Sequence, residues 1–179
     1  MLAAAETIVL VVDVQEKLSR AMAGREDLVL KTRQLVEGAR VLGVPMLFTE
    51  QNPKGLGPTL PEIVALAPDF RPVEKTSFSC CGSQELMQRL RRSNRRDVVV
   101  AGIETHVCVY QTVADLLAEG FRVEVVADAC SSRTAENKQI GLERCRRAGA
   151  AVTSVEILLF ELLKAAEGPL FKDILKIVK

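Results

Sequence analysis

Residues 7–17, TIVLVVDVQEK, set an unbroken run of β-branched and Leu residues, Ile8 to Val12, directly against an acid, Asp13. A run without polar alternation is the pattern of a strand covered on both faces, as in a parallel sheet; a half-exposed strand would alternate. The same texture returns at Val98–Ala101, ending in Gly102, and at Val123, Val125 and Val126, leading to Asp128. Pro45–Phe48, Pro72–Glu74 and Ala151–Thr153 are shorter candidates, which brings the count to about six strands.

The period changes between these runs. Leu28, Thr32, Leu35, Val36, Ala39 and Leu42 fall on one stripe at 3.6-residue spacing, and Gly43 with Pro45 stops the helix. Gln84–Leu90, Val109–Ala118 and Lys138–Ala148 read likewise, with Gly120 and Gly149 as C-terminal stops. Alternating strand and helix predict an α/β fold, a parallel sheet with helices on both faces, because parallel neighbours need crossover connections. At 179 residues, without repeat or linker, residues 1–179 are expected to form a single domain.

Composition narrows the chemistry. With 48% hydrophobic and 26% charged residues the chain can bury a core. Twenty-four Lys and Arg nearly cancel 23 Asp and Glu, a net charge of +1, so no basic field for nucleic acid is expected. The Arg-rich stretch Arg89–Asp97 (RLRRSNRRD) lies where a helix should end, and cations there suit the helix dipole. The single histidine, His106, makes a zinc site improbable. Five cysteines, an odd number without CxxC spacing, fit free thiols in a reducing compartment. The N-terminus lacks a basic leader region and its apolar run is cut by Asp13, so mature, cytoplasmic protein is expected, with no membrane association.

In open α/β sheets ligands bind beyond the carboxyl ends of the strands, where strand order reverses. Three groups follow strand candidates at that edge: Asp13 after the first, Lys75 after the third and Cys108 in the loop after the fourth. A thiol attacks as thiolate, and an ammonium or a helix N-terminus lowers its pKa. Thr105 is expected to cap the helix that carries Cys108 in its first turn, with Asp13 as proton shuttle and Lys75 holding the anionic forms. Taken singly, each residue has an ordinary reading: turn former, solvated lysine, small core thiol. The Gly- and Pro-rich segment Glu50–Pro61 (EQNPKGLGPTLP) reads as a loop beside this edge, an active-site cover or a plain surface loop. Gln15, Glu50 and His106 are candidate pocket residues, with structural hydrogen bonding as the alternative. Low aromatic content, 4% without Trp, suggests a pocket walled by aliphatic groups and a few Phe.

The stretches VVDVQEK (11–17), VEKTSFSC (73–80) and AGIETHVCVYQT (101–112), in this order, resemble the cysteine hydrolases of the isochorismatase-like superfamily. TEQNPKGLGPT (49–59) and VVADACSSR (125–133) are similar to its isochorismatase domain-containing branch. The resemblance implies a three-layer fold with a six-stranded parallel sheet in the order 3-2-1-4-5-6. It also implies an Asp13–Lys75–Cys108 triad, a cis peptide between Ile103 and Glu104, and an oxyanion hole from the Glu104 and Cys108 amides. Nicotinamidases of this superfamily bind a metal through Asp and His beside the second strand, and TEQNPKGLG has neither, so no metal and no cofactor is expected. Siderophore-pathway isochorismatases lack the nucleophilic cysteine that Cys108 supplies. The expected function is hydrolysis of a small-molecule C–N amide or ester bond through a thioester. The alternative is a ligand-binding or redox-sensing thiol module on the same fold. The tail FKDILKIVK (171–179) is expected to pack on the domain or on a sister subunit of a homo-oligomer.

Overall fold

The computed structural model describes residues 1–179. Six parallel strands, β1 (Thr7–Val12), β2 (Met46–Gln51), β3 (Val73–Lys75), β4 (Asp97–Ile103), β5 (Arg122–Ser131) and β6 (Ala151–Thr153), lie in the order β3-β2-β1-β4-β5-β6. The α/β class and this sheet order agree with the reading of the sequence. Side-chain alternation sorts the strands' residues into two cores. Val9, Val11, Val99 and Ala101 face one layer, while Ile8, Leu10, Val98 and Val100 face the other, so no strand position in these runs is free to be polar.

The helices are α1 (Glu16–Arg20), α2 (Arg25–Val41), α3 (Pro53–Leu56), α4 (Pro61–Val64), α5 (Gln84–Arg92), α6 (Tyr110–Ala118), α7 (Ala135–Ala148), α8 (Val155–Leu163) and α9 (Gly168–Val178). Helix α2 buries Leu35, Val36 and Ala39 against the first core, together with α8 and α9, while its Leu28 packs with Met22 and Ile103. Helices α5, α6 and α7 cover the second through Leu86, Leu90, Val113, Leu116 and Leu142. Helix α7 begins three residues before Lys138 because the Thr134 hydroxyl accepts from the Asn137 amide and caps it. Helix α8, VEILLFELL, is apolar on nearly all sides, which hides its period from a stripe search. Helix α9 seats Ile174 in the core, and Gln34 Nε2 donates to the Ile177 carbonyl at 2.7 Å, so the tail packs on its own chain.

Three boundaries differ from the sequence reading. Glu50 and Gln51 belong to β2, and the rest of Glu50–Pro61 holds α3 and the start of α4, each with proline in its first turn. Strand β5 continues past Asp128 because a register shift between Val100 and Gly102 restores pairing of Gly102 with Cys130 and of Ile103 with Ser131. The arginine run is tied down. Arg89 pairs with Glu85, Arg91 pairs with Glu119, and Arg95 donates to the Ala4 and Thr7 carbonyls. No helix is long and apolar enough to cross a membrane.

Gly102 stands opposite Val12 with φ 118, and a Cβ there would lie 2.1 Å from the Val12 carbonyl oxygen. Backbone cannot yield as a flexible side chain does. Gly102→Ala is therefore expected to lower stability by about 3 kcal/mol or more, read as a lowered thermal midpoint. A midpoint within a degree or two of the native value would refute this close approach of β1 and β4.

Candidate active site

Strand order reverses between β1 and β4, and the candidate residues gather at the carboxyl ends on either side of that point. Asp13 follows β1 with φ 52, a left-handed conformation that Asp tolerates better than most residues. Its amide still donates to the Thr49 carbonyl, at 3.2 Å, so the chain turns while tied to β2. Lys75 is the last residue of β3, and Cys108 lies in the turn after β4.

The structure brings these three together. Lys75 Nζ donates to Asp13 Oδ2 at 2.6 Å, with side-chain exposures of 1% and 0%. It also reaches Gln51 Oε1 at 2.8 Å and the Ser77 and Phe78 carbonyls at 3.1 and 3.3 Å. The Thr49 hydroxyl donates to the other oxygen of Asp13, Oδ1, at 2.7 Å. Both carboxylate oxygens thus accept from protein donors, and Cys108 stands close enough to Asp13 for its thiol proton to favour the carboxylate. Thr49 and Gln51 escaped sequence analysis. They are two apart, and hence on one face, in a stretch whose strand end had been placed before them.

The electrostatics reverse one expectation. Burial, and next the facing Asp13 charge, push the Cys108 thiol up to about 12, against the smaller opposing pull of Lys75. Cys108 therefore rests as a thiol: burial disfavours its anion, and the ammonium that was to activate it is already paired with Asp13. Burial also raises the Asp13 carboxyl above its ordinary value, opposed by Lys75, Thr49 and Cys108. The neighbouring Cys80, fully buried with Sγ 3.7 Å from the Thr49 hydroxyl, is pushed up to about 11 by burial and then by Asp13.

The turn carrying Cys108 is a wide one. Thr105–Val109 forms a π-helical turn in which the Val109 amide donates to the Glu104 carbonyl at 3.1 Å. Thr105 does not cap it. Its hydroxyl donates instead to the Ser131 carbonyl at 2.8 Å, and Glu104 occupies the cap position without a side-chain cap bond. The Ile103–Glu104 peptide is cis. The Glu104 amide has no acceptor in the protein, and the Cys108 amide has none outside its own turn. Helix α7 passes so closely that a Cβ on Gly141 would lie 2.8 Å from the His106 backbone.

The three candidate pocket residues fare differently. Gln15 is fully buried, its Nε2 donating to the Gln51 and Gly57 carbonyls and its Oε1 accepting from the Gln51 amide. Glu50 is 6% exposed and accepts from the Thr59 amide and hydroxyl. Both tie the 51–59 segment to the ends of β1 and β2. His106 is half-buried, with Nδ1 3.0 Å from the Ser132 hydroxyl. A cleft of about 360 Å³ reaches Lys75 and is lined by Pro53, Lys54, Glu74, Ser77 and Ser83 among others; neither Asp13 nor Cys108 lines it.

The model of the isochorismatase domain matches residues 7–157. The chain belongs to the isochorismatase family. Isochorismatase domain-containing protein 2A of Mus musculus is 41% identical over 174 residues, covering 97% of this chain and 82% of that protein. Among solved isochorismatase-like folds, MAR1 ribonuclease from Caenorhabditis elegans superposes with a TM-score of 0.93 at 34% identity, covering 99% of this chain and 91% of that one. The YcaC product of Escherichia coli, an octameric hydrolase of unknown specificity, shares the fold with a TM-score of 0.90 at 22% identity, covering 99% and 94%.

Because the Asp13 charge raises the thiol, Asp13→Asn is expected to lower the Cys108 pKa. Each unit of that fall raises the thiolate fraction at pH 8 about tenfold and, after the accompanying loss of nucleophilicity, speeds iodoacetamide alkylation about threefold. Peptide mass spectrometry of Cys108 across pH 7–10 measures this; unchanged or slower alkylation in the variant would contradict the charge arrangement.

Proposed function

We propose that the protein is a cysteine-dependent hydrolase of a small-molecule, non-peptide C–N amide or ester bond, with Cys108 as nucleophile, Asp13 as general base and Lys75 as its fixed counter-charge. The observation that carries this reading is a thiol set against a buried carboxylate whose two oxygens are already oriented by Lys75 and Thr49. Such an orientation leaves acceptor capacity on Asp13 for the thiol proton.

The site holds one negative charge between two acids. At rest it sits on Asp13. As Sγ attacks the carbonyl carbon, its proton passes to Asp13, and the charge moves through sulfur to the carbonyl oxygen. Lys75, no longer neutralised by Asp13, then favours the anion on the sulfur side, so a thiol near 12 is compatible with attack coupled to proton transfer. The Glu104 and Cys108 amides take the oxyanion. Collapse breaks the C–N bond, the amine leaves with the proton from Asp13, and a thioester remains. Water then gives its proton to Asp13, attacks the thioester and releases the acid, and the departing sulfur recovers the proton.

A redox-sensing thiol fits less well, because oxidation also proceeds through thiolate and the resting site suppresses it. RNA is a poor match, since the net charge is +1 and Arg89 and Arg91 of the basic run are held by acids. Five free cysteines suit a reducing cytoplasmic setting. We include self-association in the proposal, supported by the octameric state of the Escherichia coli YcaC product, which shares the fold.

Mixing the protein with a panel of small amides and p-nitrophenyl acetate should give acyl-enzyme mass on Cys108. Cys108→Ala should lose essentially all turnover, at least about a thousandfold, with an unchanged circular dichroism spectrum. Turnover retained by Cys108→Ala would sink the mechanism.

A further inference from the structure

Three consecutive residues of the turn after β4 are each held by one of three consecutive residues that begin with Ser131, the last residue of β5. Thr105 donates to the Ser131 carbonyl at 2.8 Å, and His106 meets the Ser132 hydroxyl at 3.0 Å. Arg133 Nε donates to Glu104 Oε2 at 2.9 Å, with the Arg133 amide at 3.4 Å from the same oxygen. The first two tethers are inside the fold. The third differs: the Arg133 side chain is 61% exposed and Glu104 only 13%. A pair with one partner in water adds little to stability, so folding alone does not account for an arginine at this position.

Its location suggests a different account. Glu104 carries the amide that has no acceptor in the protein, and the carboxylate carbon of the same residue is four bonds from that nitrogen. A carboxylate so close to a donor meant for developing negative charge opposes that charge, and does so strongly where water is scarce. We propose that Arg133 is a positioning residue for acyl transfer. Its guanidinium neutralises the Glu104 carboxylate and holds it to β5, which leaves the Glu104 amide free to stabilise the oxyanion. Arg133 touches neither substrate nor nucleophile in this scheme. The inference rests on the hydrolase reading above and adds to it the residue that keeps the oxyanion donor electrostatically competent.

The test compares two reactions of Cys108 in the full chain: acylation by p-nitrophenyl acetate, which builds an oxyanion, and alkylation by iodoacetamide, which does not. Arg133→Met is expected to slow acylation about tenfold, a fraction of what removing an oxyanion donor outright costs, and to leave alkylation unchanged. Arg133→Lys keeps the charge and should recover most of the rate. Glu104→Gln removes the charge that Arg133 answers, so the double variant Glu104→Gln/Arg133→Met should acylate within about threefold of wild type. Acylation of Arg133→Met at the wild-type rate, a double variant as slow as Arg133→Met, or a parallel fall in acylation and alkylation would each overturn the proposal. A wild-type protein that alkylates at Cys108 but never acylates there would overturn the hydrolase reading itself, and this inference with it.

Discussion

Asp13 and Lys75 form an ion pair closed off from solvent, and the carboxyl edge of the sheet is arranged around it. Two charges removed from water are stable only when their remaining valences are filled, and here they are: Thr49 on one carboxylate oxygen, Gln51 and two loop carbonyls on the ammonium. Removing either partner alone would strand a buried charge at a cost of about 3–5 kcal/mol. The pair therefore requires β1, β2, β3 and the Ser77–Phe78 loop to be in place together, which makes the active edge a consequence of the finished sheet.

Burial and the same pair together explain why the thiol is quiet at rest. An ammonium lowers a neighbouring thiol only to the extent that its field is not cancelled, and at Cys108 the Asp13 charge outweighs that of Lys75. In the proposed mechanism, proton transfer to Asp13 removes that opposition at the moment of attack and so couples nucleophile activation to the chemical step; at rest the sulfur stays protonated, and so less prone to oxidation.

The supporting geometry depends on small residues at close approaches. Gly102 lets β4 lie against the end of β1, bringing the turn with Cys108 beside Asp13. Gly141 lets α7 press on the backbone at His106 from behind. With the tethers from Ser131, Ser132 and Arg133 on its other flank, the turn is held from two directions, as a site that must orient a thiol and two amides requires.

The fold class, the strands at Ile8, Val98 and Val123, the helix stripes and the convergence of Asp13, Lys75 and Cys108 were legible in the sequence. Each depends on local periodicity or on which residue follows a strand. The roles of Gln15 and Glu50 as anchors, the part played by Thr49 and Gln51, the wide turn at Thr105 and the far end of β5 were not. Each of these is settled by a partner remote in sequence: Gln51 and Gly57 for Gln15, Thr59 for Glu50, Ser131 for Thr105, the bulge at Gly102 for β5. Alone, the sequence determined which chemical groups stand at the catalytic edge, because strand periodicity sets where a chain leaves the sheet. Only the tertiary structure decided that Cys108 rests as a thiol, because burial and the Asp13 charge together outweigh Lys75 at the sulfur, and both exist only once the strands have paired.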